Sequence, residues 1–356
     1  MEKMMKKTLS YLLCLLVVGA CARTVETGKN DAAKRYFDAW IHVNHPDLTP
    51  TALGAYVLSD KEGSGSPVGE SDKYVRLNYT LRSLDGNVTA TTYPELARQL
   101  GTWSETAWFG PVIWALGEGS LNAGLDEMIS TMRVGGIRRS VVPGWLMTTS
   151  RYGSAQDYID NVTGTNTIYE IELLETIEDT DKWELDSLGR FFALNYPQLS
   201  VKDSLKYGFY YVQTKAPAEE KTAAAEDSDD DDSEESDAGF PADTTIYINY
   251  TGRLLDGRVF DTTVADTAKM YGLYSSSKTY SPISVQYTHD DYTKITITSD
   301  KTSVIDGFSY MLWRMGPYEQ GSGIFYSGLG YAASGSGSSI PAYSPLRFDI
   351  EVVDKP

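Results

Sequence analysis

The chain carries one pattern twice. Asn78-Tyr79-Thr80-Leu81-Arg82-Ser83-Leu84-Asp85-Gly86 returns as Asn249-Tyr250-Thr251-Gly252-Arg253-Leu254-Leu255-Asp256-Gly257. Each copy rides on an alternating stretch. Val75, Leu77 and Tyr79 alternate with Arg76, Asn78 and Thr80, as Ile246, Ile248 and Tyr250 do with Tyr247, Asn249 and Thr251, the period of a half-buried strand. Both stretches end in Asp-Gly, a hairpin turn signal. A tandem duplication constrains the fold, because each copy must build its own core from the same plan. The 356 residues, 41% of them hydrophobic and 12% aromatic, suffice for about two to three such cores.

The repeat extends beyond this signature. Asn44-His45-Pro46-Asp47-Leu48 parallels Asn195-Tyr196-Pro197-Gln198-Leu199, and Gly54-Ala55-Tyr56-Val57 parallels Gly208-Phe209-Tyr210-Tyr211-Val212, so each unit begins with a lead-in and an extra strand. After Gly124 come Leu125, Met128, Ile129 and Met132, and after Gly307 come Phe308, Met311, Leu312 and Met315. The spacing predicts one amphipathic helix per unit. Tyr169, Ile171 and Leu173 close the first unit as an alternating strand, and Leu346, Phe348, Ile350 and Val352 close the second. The expected fold class is α+β, an antiparallel sheet wrapped on one helix in each unit.

The expected organisation is a signal peptide over 1–20, a stem and lead-in over 21–49, a first domain over 50–178, a connector and lead-in over 179–205, and a second domain over 206–356. Within the second domain, 216–243 holds the acidic run 226–235, whose self-repulsion and lack of apolar residues predict a disordered loop. Calcium attraction is the alternative reading, but the run lacks the glycine-punctuated spacing of a calcium loop.

Lys3, Lys6 and Lys7, then an apolar stretch from Leu12 to Val18, form a signal peptide too short to remain as a spanning helix. Val18-Gly19-Ala20-Cys21 resembles a bacterial lipobox, so Cys21 is the expected lipidation site. An ordinary cleaved signal is the alternative. Cys14 leaves with the signal, so Cys21 has no partner for a disulfide within the mature chain. The expected location is the cell envelope, lipid-anchored at the outer membrane or in the periplasm. A net charge of -18 argues against nucleic acid as a partner, since phosphate binding requires clustered cations. Three dispersed histidines offer no zinc cluster, and no metal or cofactor is expected. No feature specifies an oligomeric state.

Tyr250-Thr251-Gly252-Arg253-Leu254-Leu255-Asp256-Gly257-Arg258-Val259-Phe260-Asp261 resembles the opening signature of the FKBP-type peptidyl-prolyl isomerases. Val304-Ile305-Asp306-Gly307-Phe308, Gly330-Tyr331, Ile340-Pro341 and Phe348-Asp349-Ile350-Glu351 follow in family order. The first unit is similar to the same family through Leu116-Gly117-Glu118-Gly119, Met132-Arg133-Val134-Gly135-Gly136 and Tyr169-Glu170-Ile171-Glu172-Leu173-Leu174. The resemblance covers roughly 72–178 and 243–354 and implies two tandem FKBP-like domains acting on proline-containing polypeptides.

Carried over by position, the resemblance implies that Phe308 floors a pocket where the family usually has Trp, with Tyr250 and Phe348 as walls. Val304 and Ile305 would touch proline and the substrate backbone, and Tyr331 would donate its hydroxyl to a substrate carbonyl. Phe260 and Asp261 complete the catalytic set, and Ile295 and Ile340 the binding set. Ile295 stands where the family often has an aromatic. These apolar residues also suit an ordinary core.

The first unit departs from this pattern. Thr89 and Ala90 stand for Phe260 and Asp261, Asn122 for Ile305 and Leu125 for Phe308, while Tyr79, Tyr152 and Tyr169 remain. That predicts an inactive first domain. Trp103, Trp108, Trp114 and Trp145 read as core packing or as another groove. The segments 91–112 and 262–294 are long where compact family members are short, the second being rich in Tyr and Ser. The expected activity is an exported isomerase that assists folding in the envelope. The alternatives are a non-catalytic chaperone or binding lipoprotein on the same scaffold, or a scaffold lipoprotein whose acidic loop attracts a basic partner.

Overall fold

The computed structural model describes residues 30–218, 239–240, 243–299 and 301–356. The signal segment, Cys21 and the acidic run 226–235 lie outside them.

The first unit runs α1 (Asp31–Asn44), β1 (Tyr56–Lys61), β2 (Tyr74–Arg82), β3 (Val88–Thr91), α2 (Pro94–Gln99), β4 (Val112–Ala115), α3 (Ala123–Ile129), β5 (Ile137–Val142), α4 (Ala155–Asn161) and β6 (Thr167–Ile177). The second runs α5 (Thr180–Asn195), β7 (Phe209–Lys215), β8 (Thr245–Leu254), β9 (Val259–Thr262), α6 (Ala265–Met270), β10 (Ile283–Gln286), β11 (Thr296–Ile297), α7 (Asp306–Arg314), β12 (Gln320–Phe325) and β13 (Leu346–Val353).

Each unit forms one antiparallel sheet. The first has the order β1-β5-β6-β2-β3 with β4 also on β2, and the second β11-β10-β8-β13-β12-β7 with β9 on β8. Set β7 for β1, β12 for β5, β13 for β6 and β8 for β2, and the two orders coincide. The duplication reaches single hydrogen bonds. The Tyr79 amide donates to Thr92 Oγ1 at 2.9 Å, as the Tyr250 amide does to Thr263 Oγ1 at 2.9 Å. Thr92 and Thr263 in turn donate to Asn78 Oδ1 and Asn249 Oδ1, each at 3.2 Å.

The expected helices are α3 and α7, which bury Leu125, Met128 and Ile129 in one core and Phe308, Met311 and Leu312 in the other. Burial of these side chains is the main driving force for seating each helix on its sheet. Met132 and Met315 fall past the helix ends yet stay buried.

Each repeat also opens with a helix that the sequence reading takes only as a lead-in. α1 buries Phe37 and Ile41, and α5 buries Leu188 and Phe192. Both stop at an asparagine whose amide reaches back one turn, Asn44 to the Trp40 carbonyl at 2.8 Å and Asn195 to the Phe191 carbonyl at 3.0 Å. The connector region is therefore mostly α5, packed through Leu188 and Phe192 on Tyr210 and Ile324 of the second sheet. β6 ends at Ile177 and α5 begins at Thr180. Asp179 caps α5, its carboxylate accepting from the amides of Asp181 at 2.9 Å and Lys182 at 3.2 Å. So short a junction leaves little slack between the units.

Candidate active site

Strand pairing brings the first site residues together. On β8, Gly252 lies opposite Asp261 of β9 on one side and Phe348 of β13 on the other. The β8–β9 register then jumps, with Arg253 opposite Val259, so Phe260 is the extra residue of a β-bulge. A bulge re-aims its side chain, and Phe260 turns edge-on to Phe348 at 5.5 Å between ring centres. Phe308, from the first turn of α7, meets Phe348 at 5.0 Å and Tyr250 at 5.5 Å, both edge to face. These contacts suit the aromatic quadrupole and fix the walls against one another.

Tyr250, Phe260, Asp261, Val304, Ile305, Phe308, Tyr331, Ile340 and Phe348 line one cavity of about 520 Å³. Ile295 is placed elsewhere. It closes the short turn Tyr292–Lys294 and is only 1% exposed within the core. Ile297 on β11 and Ile283 on β10 line the cavity instead, along with Thr302, Ser303, Ser336 and Ser339. The Ile295-Thr296-Ile297 alternation leaves two equivalent choices in sequence, and only the pairing of Ile297 with Val285 selects between them.

The polar groups gather at Asp261. Its Oδ2 accepts the Tyr250 hydroxyl at 2.5 Å, and its Oδ1 pairs with Lys278 from the long segment between β9 and β10. Burial, then the Asp261 charge and hydrogen bond, raises the Tyr250 hydroxyl above the ordinary tyrosine value. Burial also raises Tyr331, with the Asp261 charge adding to it and a hydrogen bond with Ser336 opposing it. Both hydroxyls are thus held in the protonated, donating form.

The arrangement is an aromatic bowl with a hydroxyl at its rim and an acceptor fixed beside it. The sequence pattern of the FKBP-type peptidyl-prolyl cis-trans isomerase family matches residues 239–353, which contain the whole bowl. Over these residues the second unit is similar to an FKBP-type domain. Solved structures similar to the chain include the three FKBP domains of wheat FKBP73, at 15% identity over 84% of this chain and 94% of that one, with a TM-score of 0.27. A peptidyl-prolyl isomerase of Pseudomonas syringae pv. tomato is 19% identical over 49% of this chain and 93% of its own, with a TM-score of 0.29. FkpA of Escherichia coli is 20% identical over 49% of this chain and 60% of its own, also at 0.29. No curated protein matches the sequence.

The first unit repeats the FKBP-like strand order without this bowl chemistry. Asn122 caps α3 in the extended conformation that Ile305 has before α7, putting a polar side chain at the equivalent position. Thr89 occupies the bulge, since Leu81 lies opposite Ala90 and Arg82 opposite Val88. Trp114 leans on Tyr79 with ring centres 5.3 Å apart, and Tyr152 packs edge-on against Tyr158 at 5.0 Å. Trp145 is core, edge-on to Phe37 at 5.4 Å. Trp108 packs against the second unit's core, and Trp103 lines a surface recess together with Met270 and Tyr271 of that unit.

Proposed function

We propose that this chain is an exported, lipid-anchored peptidyl-prolyl isomerase that assists protein folding in the cell envelope, with turnover confined to the second unit. The observation that carries the reading is the convergence of Tyr250, Phe260, Phe308 and Phe348 around one cavity whose rim holds Tyr331 and Asp261. An X-Pro bond isomerises slowly because amide resonance resists rotation. A poorly hydrated bowl disfavours the charge-separated resonance form and so favours the twisted amide over the planar one. A donor such as Tyr331 orients the carbonyl. No nucleophile is needed, and a thousandfold acceleration asks for only about 4 kcal/mol.

The first unit supplies Thr89, Ala90, Asn122 and Leu125 at the matching positions, a smaller and more polar surface, and its proposed role is structural or in binding. The test is exchange spectroscopy on an apolar-X-Pro peptide with the full chain. Acceleration that Phe308→Ala removes supports the reading. Peptide binding without acceleration at high protein concentration would replace it with a non-catalytic chaperone.

A further inference from the structure

The loop carrying Ile340 forms one wall of the cavity. It is a tight turn in which Ser336 and Ile340 exchange backbone hydrogen bonds at 2.8 and 3.1 Å, with Gly335 and Gly337 both at positive φ. Glycines at such angles permit the turn but add backbone freedom. Its tip, Ser338, is exposed, while Ser336, Ser339 and Ile340 face the cavity.

The tip is held from outside its own unit. The Trp108 amide of the first unit donates to the Ser338 carbonyl at 2.6 Å. Arg258, beside the β8–β9 turn, donates from Nη1 to the Ala107 carbonyl at 2.7 Å and lies 5.5 Å from the centre of the Trp108 ring. The indole donates to the Pro111 carbonyl at 3.2 Å, which fixes its own orientation. On the far side of the loop, Tyr74 of β2 meets Tyr343 edge-on at 5.3 Å. The first unit therefore brackets the loop at Ser338 and at Tyr343.

We infer that residues 100–111 of the first unit form an arm that positions the Ile340 loop of the second unit's cavity, with Trp108 and Arg258 as the positioning residues for proline binding. This accounts for the length of the insertion between α2 and β4, which would otherwise be an unused loop on an inactive repeat. A peptide meets a complete cavity only in the fraction of molecules whose loop is in place, and apparent affinity falls with that fraction. The inference rests on the isomerase reading for its kinetic consequence alone.

The test uses the full chain with Trp108→Ala and, separately, Arg258→Ala, read by hydrogen exchange of the 336–340 amides and by kinetics on an apolar-X-Pro peptide. The expected result is local loss of protection at 336–340, KM raised about three- to tenfold and kcat within about twofold of wild type. Unchanged exchange and KM in both variants would overturn the inference. So would faster loop exchange with KM unchanged, which would leave the arm as a contact without consequence for the site. Uniformly faster exchange across both sheets in both variants would make the arm a packing element and overturn it as well. If wild type binds the peptide without turning it over, the isomerase reading falls, and exchange together with peptide Kd decides the positioning claim in the same way.

Discussion

Gly252 and Phe260 exclude one another's side-chain space: a Cβ on Gly252 would lie 2.5 Å from Cζ of Phe260 and 3.0 Å from Cε1 of Phe348. The first unit has the opposite pair, Leu81 and Thr89, at the same places in the bulge. Bare backbone on β8 thus makes room for an aromatic wall. Where the backbone carries Leu, the wall is small.

Gly252→Leu is accordingly expected to overpack the bowl and destabilise the protein by about 1–3 kcal/mol, with loss of peptide binding. Adding Phe260→Thr should recover much of that stability while binding stays lost, because the double variant reproduces the first unit's pair. Denaturant titration of the two single variants, the double variant and wild type measures the coupling. A double variant no more stable than Gly252→Leu would show that the two positions do not trade volume.

Tyr331→Phe keeps the ring and removes one donor. If the hydroxyl orients the reacting carbonyl, kcat falls about tenfold while KM moves within about twofold, the signature of an interaction made mainly in the transition state. Burial raises both Tyr331 and Tyr250 above the ordinary tyrosine value of 10.0, so each stays predominantly protonated below that pH. The rate should therefore stay flat from about pH 6 to 9.5. A decline centred near pH 8 in wild type, absent in Tyr331→Phe, would contradict the assigned environment.

How much of this was legible in the sequence depended on how local the signal was. The sheets were readable because Tyr79 and Tyr250 sit in period-two stretches ending at Asp-Gly, and the helices α3 and α7 because four apolar residues recur at helical spacing. The opening helices α1 and α5 were read only as lead-ins, since the apolar side chains that each buries amount to a single i,i+4 pair, Phe37 with Ile41 and Leu188 with Phe192. The cavity walls followed the family resemblance except at Ile295, where the choice between two isoleucines depends on a strand pairing. Trp108 gave no sign of its role. Its partner Ser338 lies in the other repeat, and contacts between units leave no periodic trace in either one.

Fractionation addresses the anchor. Cys21 follows Val18-Gly19-Ala20, and one acyl chain holds a protein only marginally whereas several hold it firmly. Wild-type protein should partition into the membrane fraction with a modified N-terminus, and Cys21→Ser should release a soluble or unprocessed form. An unmodified wild-type N-terminus in the soluble fraction would replace the anchored reading with a freely diffusing secreted protein.

Glu184 provides a pH-dependent test of how α5 holds the second unit. It sits in the second turn of the helix, only 1% exposed, and its two carboxylate oxygens accept from the Ser327 amide and hydroxyl at 2.6 Å each. Burial pushes it up from 4.5 to about 7, with the nearby Asp181 charge adding to the rise and the two Ser327 hydrogen bonds opposing it. The folded chain therefore keeps a proton that the unfolded chain releases between roughly pH 4.5 and 7. The sign is the reverse of an ordinary salt-bridged carboxylate: this residue's contribution to stability is greatest below that window and declines as pH rises through it, by on the order of 3 kcal/mol in total. Glu184→Gln keeps a side-chain oxygen to accept from the Ser327 amide and an NH₂ to donate to the hydroxyl, and it cannot ionise. Urea titrations at pH 5 and pH 8 should show wild type losing stability between them by more than the variant does. Equal losses would mean that Glu184 is already ionised at pH 5, with the Ser327 hydrogen bonds outweighing the cost of burying its charge.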